Sequence, residues 1–219
     1  MKLYPLYVRL EGRLCTVIGG GEVAEHKVLG LISAGARVRV VSPTLTSRLR
    51  TLAQTDAIDH VERGYQHGDL ADSFIAFATT DDESVNAGVA AEAREHGVML
   101  NAADRPSLCD FVSPAVLERG DLLIATSTSG ASPMMARRIR EQLELQFGLE
   151  YADALEILRA ARRRLAAEGR SSAERRRVLA ALVDSPLLDL LRRRDRAGID
   201  RVLAETLGGG YTIESLAEV

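Results

Sequence analysis

The chain has 219 residues, enough to bury the core of one domain, or of one domain with an appendage. Its hydrophobic fraction of 46% and charged fraction of 27% are ordinary for a globular protein. The net charge of -3 favours neither a nucleic-acid binder nor an acidic tail, and no apolar run approaches the roughly 20 residues of a membrane-spanning helix. Because the first residues also lack a signal-peptide core, we expect a cytoplasmic protein without membrane or nucleic-acid partners.

Strand and helix patterns alternate along the first half of the chain. The apolar runs predict five strands, at 13–19, 36–42, 58–62, 73–80 and 98–104. Helical spacing predicts helices at 22–35, 43–54 and 81–97, the last capped by Asp81 or Asp82, and a loop at 63–70. Alternating strands and helices pair the strands in parallel through right-handed crossovers. We therefore predict an α/β domain with a Rossmann-type, doubly wound sheet.

The turn after the first predicted strand carries the pattern G-x-G-x-x-A, at Gly19, Gly21 and Ala24. A helix that begins there offers free N–H groups and the positive end of its dipole, which suit a pyrophosphate. Gly19 is expected to permit the tight turn, and Gly21 to let the phosphates approach the backbone. The alternative is a glycine-rich turn without a ligand.

The end of the second strand lacks the acidic residue that commonly holds the adenine ribose. The sequence there is Ser42, Pro43 and Thr44, so the Ser42 side chain and the following backbone become the candidate ribose contacts. Arg37 and Arg39, which alternate along the strand, would instead suit a 2′-phosphate. These residues alone leave the choice between NAD and NADP open.

The pattern changes after residue 108. Two β-rich runs within 109–130 join at Arg119-Gly120 and predict a hairpin. A long amphipathic helix follows, with Ser132 as its N-cap and Pro133 in its first turn. The STSGAS loop before this helix is either a second anion site or only a capping loop.

Helical patterns continue from Leu149 onward. They predict helices at 149–169 and 171–184, the second with a capping box of Ser171 and Glu174, and a further helix that starts at Ser185-Pro186. Arginine triplets at 162–164, 175–177 and 192–194 would suit a nucleic acid. Interleaved acidic residues and the near absence of aromatic residues favour solvated helix faces instead.

Four segments in this order resemble the precorrin-2 dehydrogenase / sirohydrochlorin ferrochelatase family, the N-terminal module of siroheme synthases, here as a free-standing chain. They are GGGEVAEHK (19–27), ATTDDESVN (78–86), NAADRPSLCDFVSPA (101–115) and TSTSGASPMMARRIREQLE (126–144). The resemblance covers residues 1 to about 200. It implies an NAD-binding Rossmann domain at 1–113, a small α+β dimerisation region at 114–148, a C-terminal helical domain at 149–219, and a homodimer.

The resemblance also implies a reaction, the NAD-dependent oxidation of the tetrapyrrole precorrin-2 to sirohydrochlorin. In some members Fe²⁺ insertion follows and gives siroheme. Asp104 matches the catalytic aspartate of the family and lies at the end of the fifth strand, where such sheets bind ligands. It would act as a general base, and the same carboxylate would accept pyrrole protons or briefly hold the iron. The alternative is that Asp104 only caps a turn.

The expected binding residues follow from this reaction. The dinucleotide contacts expected are Gly19, Gly20, Gly21, Glu22, Val23, Ser42, Pro43, Thr44, Thr79, Thr80, Asp81 and Asn101. A substrate with many carboxylates needs guanidinium groups or helix N-termini, for which the candidates are Arg105, Arg119, Thr128, Ser129, Ser132, Arg137 and Arg138. Relatives can carry a phosphorylated serine at the position of Thr128, so regulation by phosphorylation stays open here.

Neither the cysteines nor the histidines show the spacing of metal ligands. The residues concerned are Cys15, Cys109, His26, His60, His67 and His96. We therefore predict no resident metal and treat Fe²⁺ only as a candidate substrate. The competing interpretation of the whole chain is a regulatory module that binds NAD(H) without turnover.

Overall fold

The structure is a computed structural model that describes residues 2–217. The chain divides into two compact units, Lys2–Ser113 and residues 114–217, and each is described by itself. No helix within the described residues combines the length and the apolar character that crossing a membrane requires.

The first unit is built on a parallel five-stranded sheet in the order β3-β2-β1-β4-β5. The strands are β1 (Leu14–Ile18), β2 (Arg37–Val41), β3 (Asp59–Val61), β4 (Ile75–Ala78) and β5 (Met99–Ala102). The helices are α1 (Glu22–Ser33), α2 (Ser47–Gln54) and α3 (Glu83–His96). This architecture confirms the predicted Rossmann-type α/β fold.

Capping residues set the helix starts. α2 begins four residues later than predicted, at Ser47, because the Thr46 hydroxyl caps it and accepts a hydrogen bond from the Leu49 N–H at 3.2 Å. Asp82 is the N-cap of α3 and accepts hydrogen bonds from the Ser84 and Val85 N–H groups. Together with the Ser84 hydroxyl, these hydrogen bonds lower the pKa of Asp82. The loops that precede α2 and α3 are thereby fixed where they join these helices.

Successive side chains of a strand point to opposite faces of the sheet, and both faces of this sheet are buried. On one face Val17 packs among Val28 of α1 and Leu49 of α2. On the other face Ile18 packs among Val89 and other apolar residues of α3. Cys15 belongs to the first of these clusters, and burial raises the pKa of its thiol to about 11, so it is a neutral core residue at physiological pH.

The connection from β3 to β4, residues 62–74, contains no helix in the structure and is held to α3 by polar contacts. The buried carboxylate of Glu92 accepts hydrogen bonds from the Tyr65 hydroxyl at 2.5 Å and from the Leu70 N–H at 2.7 Å. Arg63 donates to both carboxylate oxygens of Asp69, at 2.7 and 2.8 Å. Because a buried carboxylate is tolerated only with such partners, Glu92 fixes this connection in place.

The second unit begins with the predicted hairpin, formed by β6 (Ala115–Arg119) and β7 (Leu122–Thr126). α4 (Pro133–Gln146) packs against both strands. Five helices follow: α5 (Glu150–Ala167), α6 (Ser172–Val183), α7 (Leu187–Arg193), α8 (Arg196–Leu207) and α9 (Ile213–Ala217). Leu165, Leu182 and Leu203 are fully buried at their centre. The structure confirms the predicted N-cap at Ser132 and the capping box of Ser171 and Glu174.

The Glu92 anchor leads to a stability prediction. We expect Glu92→Ala to lower the free energy of unfolding of the first unit by roughly 2 to 4 kcal/mol, because it leaves the Tyr65 hydroxyl and the Leu70 N–H without a partner. Hydrogen exchange of the buried β1 amides measures this free energy. Arg94→Ala is the matched control, since Arg94 is exposed on the same helix. Equal exchange in the two variants would contradict a stabilising role for Glu92.

Candidate functional site

The carboxyl ends of the parallel strands form the sheet edge at which doubly wound folds bind ligands. β1 lies between β2 and β4, so the strand order reverses beside β1. Three groups of predicted dinucleotide contacts follow the neighbouring strands β1, β2 and β4: Gly19 to Val23, Ser42 to Thr44, and Thr79 to Asp81. Asp104 follows β5 on the same edge.

Gly19 has a φ of 114°, a conformation that side-chain-bearing residues rarely adopt. A Cβ at this position would lie 2.6 Å from the Thr79 hydroxyl oxygen. Thr79 is itself held against β1, since its N–H and its hydroxyl both donate to the Ile18 carbonyl, at 2.8 and 2.9 Å. Only glycine allows the loops after β1 and β4 to meet this closely.

Gly20 performs the same task toward the loop after β2. A Cβ at Gly20 would collide with the Thr44 carbonyl oxygen and lie 2.8 Å from the Ser42 hydroxyl. The Thr46 N–H donates to the Gly20 carbonyl at 3.0 Å, and the Ser42 hydroxyl donates to the Thr44 carbonyl at 2.7 Å. Ser42 is 5% exposed, so its side chain supports the loop after β2 from the protein interior.

Gly21 differs from its two neighbours because the space beside it is open. Within the described part of the chain, no heavy atom of any residue other than Gly21 and its two chain neighbours lies within 4 Å of the position that a Cβ would take there. Gly21 is the N-cap of α1, has extended backbone and carries no side chain to satisfy the first N–H groups. The exposed residues Glu22 and Val23 begin the helix. This cradle of free amides beside an open space fits a dinucleotide pyrophosphate.

An acidic residue that was not among the predicted site residues, Glu62, lies beside the end of β2. β3 pairs with β2 so that Val61 lies opposite Val41, which places Glu62 level with Ser42. The Ser42 N–H donates to the Val61 carbonyl at 3.1 Å. A cavity of about 740 Å³ is lined by Pro43, Thr44, Glu62 and neighbouring residues of α2 and β3. The missed signal was strand register, since the acid follows the third strand instead of the second.

The two β2 arginines considered for a 2′-phosphate, Arg37 and Arg39, do not line this cavity, whereas Arg50 of α2 does. Arg39 is paired with Asp59 on the adjacent strand, with its Nε 2.8 Å from a carboxylate oxygen. Arg37 lies opposite Leu14 at the amino end of β2, the end away from the ligand edge. Neither residue therefore provides a free guanidinium beside Ser42.

The loop after β4 is ordered by its own hydrogen bonds. The Thr80 carbonyl accepts from the Asn86 side-chain amide at 2.9 Å, and the Thr80 hydroxyl accepts from the Asp82 N–H at 3.2 Å. Asp81 stays exposed at the tip of this loop. Polar groups of the loop thus remain fixed at the ligand edge.

Asp104 is exposed and has a left-handed backbone with a φ of 56°. Aspartate tolerates this conformation better than most residues, yet the strain is on the order of 1 kcal/mol or more. The flanking chain is pinned, because the Ala103 N–H donates to the Ala78 carbonyl at 2.8 Å and the Cys109 sulfur contacts the Ala102 N–H at 3.2 Å. Within residues 2–217 no hydrogen bond to the Asp104 carboxylate is found, so it caps no turn.

Two neighbouring site candidates have partners within the protein. The Asn101 amide donates to the Phe111 carbonyl at 2.9 Å, and its residue is only 9% exposed. The Arg105 guanidinium forms an ion pair with Glu83 in the first turn of α3. Asn101 therefore braces the segment after β5, and Arg105 must leave Glu83 to meet a substrate carboxylate.

The other substrate candidates belong to the second unit. Arg119 donates to the Phe147 carbonyl at 3.1 Å. The guanidiniums of Arg137 and Arg138 lie 3.0 and 3.6 Å from the Glu141 carboxylate, and the hydrogen bond from Arg137 is the main cause of the lowered pKa of Glu141. Both arginine side chains are about 70% exposed, so they remain accessible.

The loop before α4 closes on itself. The Thr128 hydroxyl donates to the Ser132 carbonyl and accepts from the Ser132 N–H, each at 3.0 Å. The Ser132 hydroxyl in turn accepts from the Met135 N–H at 3.1 Å. Ser129 is exposed beside them, with a φ of 54°. This geometry is that of a capping loop, and the first turn of α4 already has its cap.

Two family models match the chain in the order of these two units. The first, described as NAD(P)-binding, matches residues 6–115, half of the chain. The second, described as the central part of a sirohaem biosynthesis protein, matches residues 119–146. The first match contains the glycine turn and Asp104, and the second contains the capping loop and α4.

Several known proteins are similar over longer stretches. A siroheme synthase of Stutzerimonas stutzeri (strain A1501) is 35% identical over 209 residues, which are 95% of this chain and 45% of the relative. A siroheme synthase of Ectopseudomonas mendocina (strain ymp) is 44% identical over 144 residues, 66% of this chain and 31% of the relative. The chain thus spans less than half the length of these curated relatives.

One solved structure has the same fold along nearly the whole chain. SirC, a precorrin-2 dehydrogenase, matches with a TM-score of 0.75 and 25% sequence identity, covering 91% of this chain and 100% of that one. The glycine cradle fits a dinucleotide, as the NAD(P)-binding family model does. The second family model and the curated relatives both concern sirohaem biosynthesis. The chain therefore belongs to the precorrin-2 dehydrogenase / sirohydrochlorin ferrochelatase family, as its four motifs predicted.

Proposed function

We propose that this chain catalyses the NAD-dependent oxidation of precorrin-2 to sirohydrochlorin. The observation that carries the proposal is the position of Asp104, an exposed carboxylate that has no hydrogen-bond partner among the described residues and lies on the same sheet edge as the dinucleotide cradle. The similarity to SirC, a precorrin-2 dehydrogenase, supports the choice of substrate.

The reaction removes a hydride and a proton from the tetrapyrrole. NAD⁺, when bound, supplies the hydride acceptor. The amides at Gly21, Glu22 and Val23 hold its pyrophosphate, and the loop from Thr79 to Asp81 lines the nicotinamide half of the site. Asp104 takes the proton from the substrate and releases it to solvent, which its exposure permits. The pinned chain on both sides holds this carboxylate at a constant position.

We further propose that the same carboxylate serves Fe²⁺ insertion into sirohydrochlorin. Iron is a substrate in this step, and two pyrrole protons must leave as the metal enters. Asp104 has no competing hydrogen bond in residues 2–217 and is therefore free to accept these protons. In the second unit, Arg137 and Arg138 stay candidate partners for substrate carboxylates, since their side chains are exposed beside Glu141.

A regulatory module that binds NAD(H) without turnover is the competing function. The cradle at Gly19 to Gly21 supports it equally well, because that cradle does not involve Asp104. Measurements of binding and of turnover on the same preparation separate the two functions.

We also propose that Glu62 holds the adenine ribose hydroxyls and so favours NAD over NADP. Its position level with Ser42 supplies the acid that the end of β2 lacks. A 2′-phosphate placed there would meet a carboxylate, while Arg39 is already paired with Asp59.

The homodimer is a fourth part of the proposal. The hairpin exposes Val116 and Leu123, at 45% and 44%, and α4 exposes Met134 at 81%. Val116 and Leu123 lie on the same face of the hairpin, and exposed apolar side chains that share a face are typical of an interface.

The function is tested by anaerobic assays with precorrin-2 and NAD⁺. We expect NADH formation by the unaltered chain and a turnover number lower by roughly 100-fold or more in Asp104→Asn, because the general base is lost. Asparagine tolerates the left-handed backbone, so NAD⁺ affinity should not change. Asp72→Asn, an exposed aspartate in the β3–β4 connection, is the control.

The outcomes of these assays separate the alternatives. NAD⁺ binding without any NADH would replace the dehydrogenase with the regulatory module. Sirohydrochlorin and Fe²⁺ that react no faster with the protein than without it would remove only the iron-insertion step. Full turnover in Asp104→Asn would refute the role of this carboxylate.

The ribose role of Glu62 gives a separate prediction. We expect Glu62→Ala to bind NAD⁺ roughly tenfold more weakly, because a charge-assisted hydrogen bond is lost, and to bind NADP⁺ no worse than the unaltered chain. Titration calorimetry with both nucleotides measures the ratio of affinities, with Glu95→Ala as the control. An unchanged ratio would show that Glu62 does not contact the ribose.

The dimer is tested by sedimentation velocity. We expect the unaltered chain to sediment as a dimer and Val116→Glu/Leu123→Glu as a monomer, because two charges would be buried in the interface. Val183→Glu is the control, since Val183 is 58% exposed on α6. A monomeric unaltered chain, or a dimeric double variant, would rule out this interface.

A further inference from the structure

Two histidines and a glutamate that sequence spacing did not connect come together at the end of α3. One ligand atom from each of His67, Glu95 and His96 lies within 4.8 Å of the others. The Nε2 of His67 is 3.6 Å from a carboxylate oxygen of Glu95, too long for a hydrogen bond. The two imidazole ring centres are 6.4 Å apart. All three side chains are exposed, so water and ions reach them.

The backbone around these side chains is fixed by the anchor already described. Glu92, Glu95 and His96 lie at positions i, i+3 and i+4 of α3 and therefore share one face of the helix. Glu92 holds the connection onto this face through the Leu70 N–H at 2.7 Å. Asp69 closes the turn on the other side of His67, accepting from the Gln66 N–H at 2.8 Å. His67 is thus held above Glu95 and His96.

The donor set is chemically specific. Two imidazoles and one carboxylate, with open positions for water, suit divalent first-row metals such as Zn²⁺, Co²⁺ and Ni²⁺. Ligand bonds of about 2.0–2.2 Å in tetrahedral arrangement separate two ligand atoms by about 3.4 Å, close to the 3.6 Å between His67 and Glu95. The site also lies at the last turn of α3, where the helix dipole favours a cation.

The surrounding charges are mixed. Arg94 lies in the same last turn of α3 and opposes a cation. The carboxylates of Asp69, Glu92 and Glu95 act together on Tyr65, whose pKa is raised first by burial and then by the hydrogen bond to Glu92 and these charges. Because Asp69 is paired with Arg63, Glu92 and Glu95 are the carboxylates that offset Arg94.

We propose that His67, Glu95 and His96 form a surface site for a divalent first-row transition metal, which clamps the β3–β4 connection to the end of α3. The site is distinct from the ligand edge: α3 starts beside that edge at Asp82, and His96 ends the helix, roughly 20 Å further along. A metal here stabilises the first unit and takes no part in the reaction.

The test uses untagged full-length protein treated with a chelator and then titrated with Co²⁺ alone. We expect one equivalent to bind, with the visible absorption bands of protein-bound Co²⁺, and Zn²⁺ to displace it. His67→Ala and His96→Ala should each weaken Co²⁺ binding at least about tenfold. Loss of a residue that only orients a metal ligand already weakens metal binding by about that factor, and here the ligand itself is removed. His26→Ala, which removes an exposed histidine on α1, should bind as the unaltered protein does.

Folding and activity are followed separately. The substituted side chains are exposed, so circular dichroism of each variant should match the unaltered protein, and Asp104→Asn should bind Co²⁺ normally. Zn²⁺ should slow amide exchange in residues 62–74 of the unaltered chain but not of His67→Ala. Absent Co²⁺ bands, a stoichiometry other than one, or undiminished binding in the His67 and His96 variants would overturn the proposal, whatever the outcome of the dehydrogenase assay.

Discussion

The contact between the loops at the carboxyl edge of the sheet is the constraint on which the candidate site depends. Gly19 touches the loop after β4 and Gly20 touches the loop after β2, both at distances that leave no room for a Cβ. Gly21 then keeps the space in front of α1 open. The sequence pattern assigns the tight turn to Gly19 and the approach of the phosphates to Gly21, and it gives Gly20 only as a dinucleotide contact. In the structure, two glycines assemble the walls and the third leaves the opening.

Much of the fold follows from local pattern. The five strands and three helices of the first unit repeat with a period that the sequence displays, and Ser132 and Ser171 carry the side chains that cap their helices. Motif order was specific enough to name the family. Strand pairing and helix starts were harder, since Thr46 shortens α2 through a hydrogen bond that no periodicity shows.

The site was predicted less completely because it depends on contacts between distant residues. Glu62 lies level with Ser42 because of the register between β2 and β3. His67 lies near His96 because Glu92 holds the β3–β4 connection onto α3. Local spacing contains neither relation. The opposite error also occurs, since Asn101 has the position of a ligand contact but donates its amide to the protein itself. Residue type identifies candidates, and hydrogen bonding then sorts those that brace the site from those that remain free.

The β3–β4 connection has a consequence for motion within the first unit. Its attachment combines the Glu92 carboxylate, which holds the Tyr65 hydroxyl and the Leu70 N–H together, with the Leu70 side chain, which is fully buried in the core against α3. If either of these two hydrogen bonds breaks, the other is weakened as well. Residues 62–74 should therefore open in a single step instead of gradually. Such an opening would uncover the apolar side of α3 while leaving the paired strands intact. The β3–β4 connection is therefore a segment that covers part of α3 and opens when its hydrogen bonds to Glu92 break.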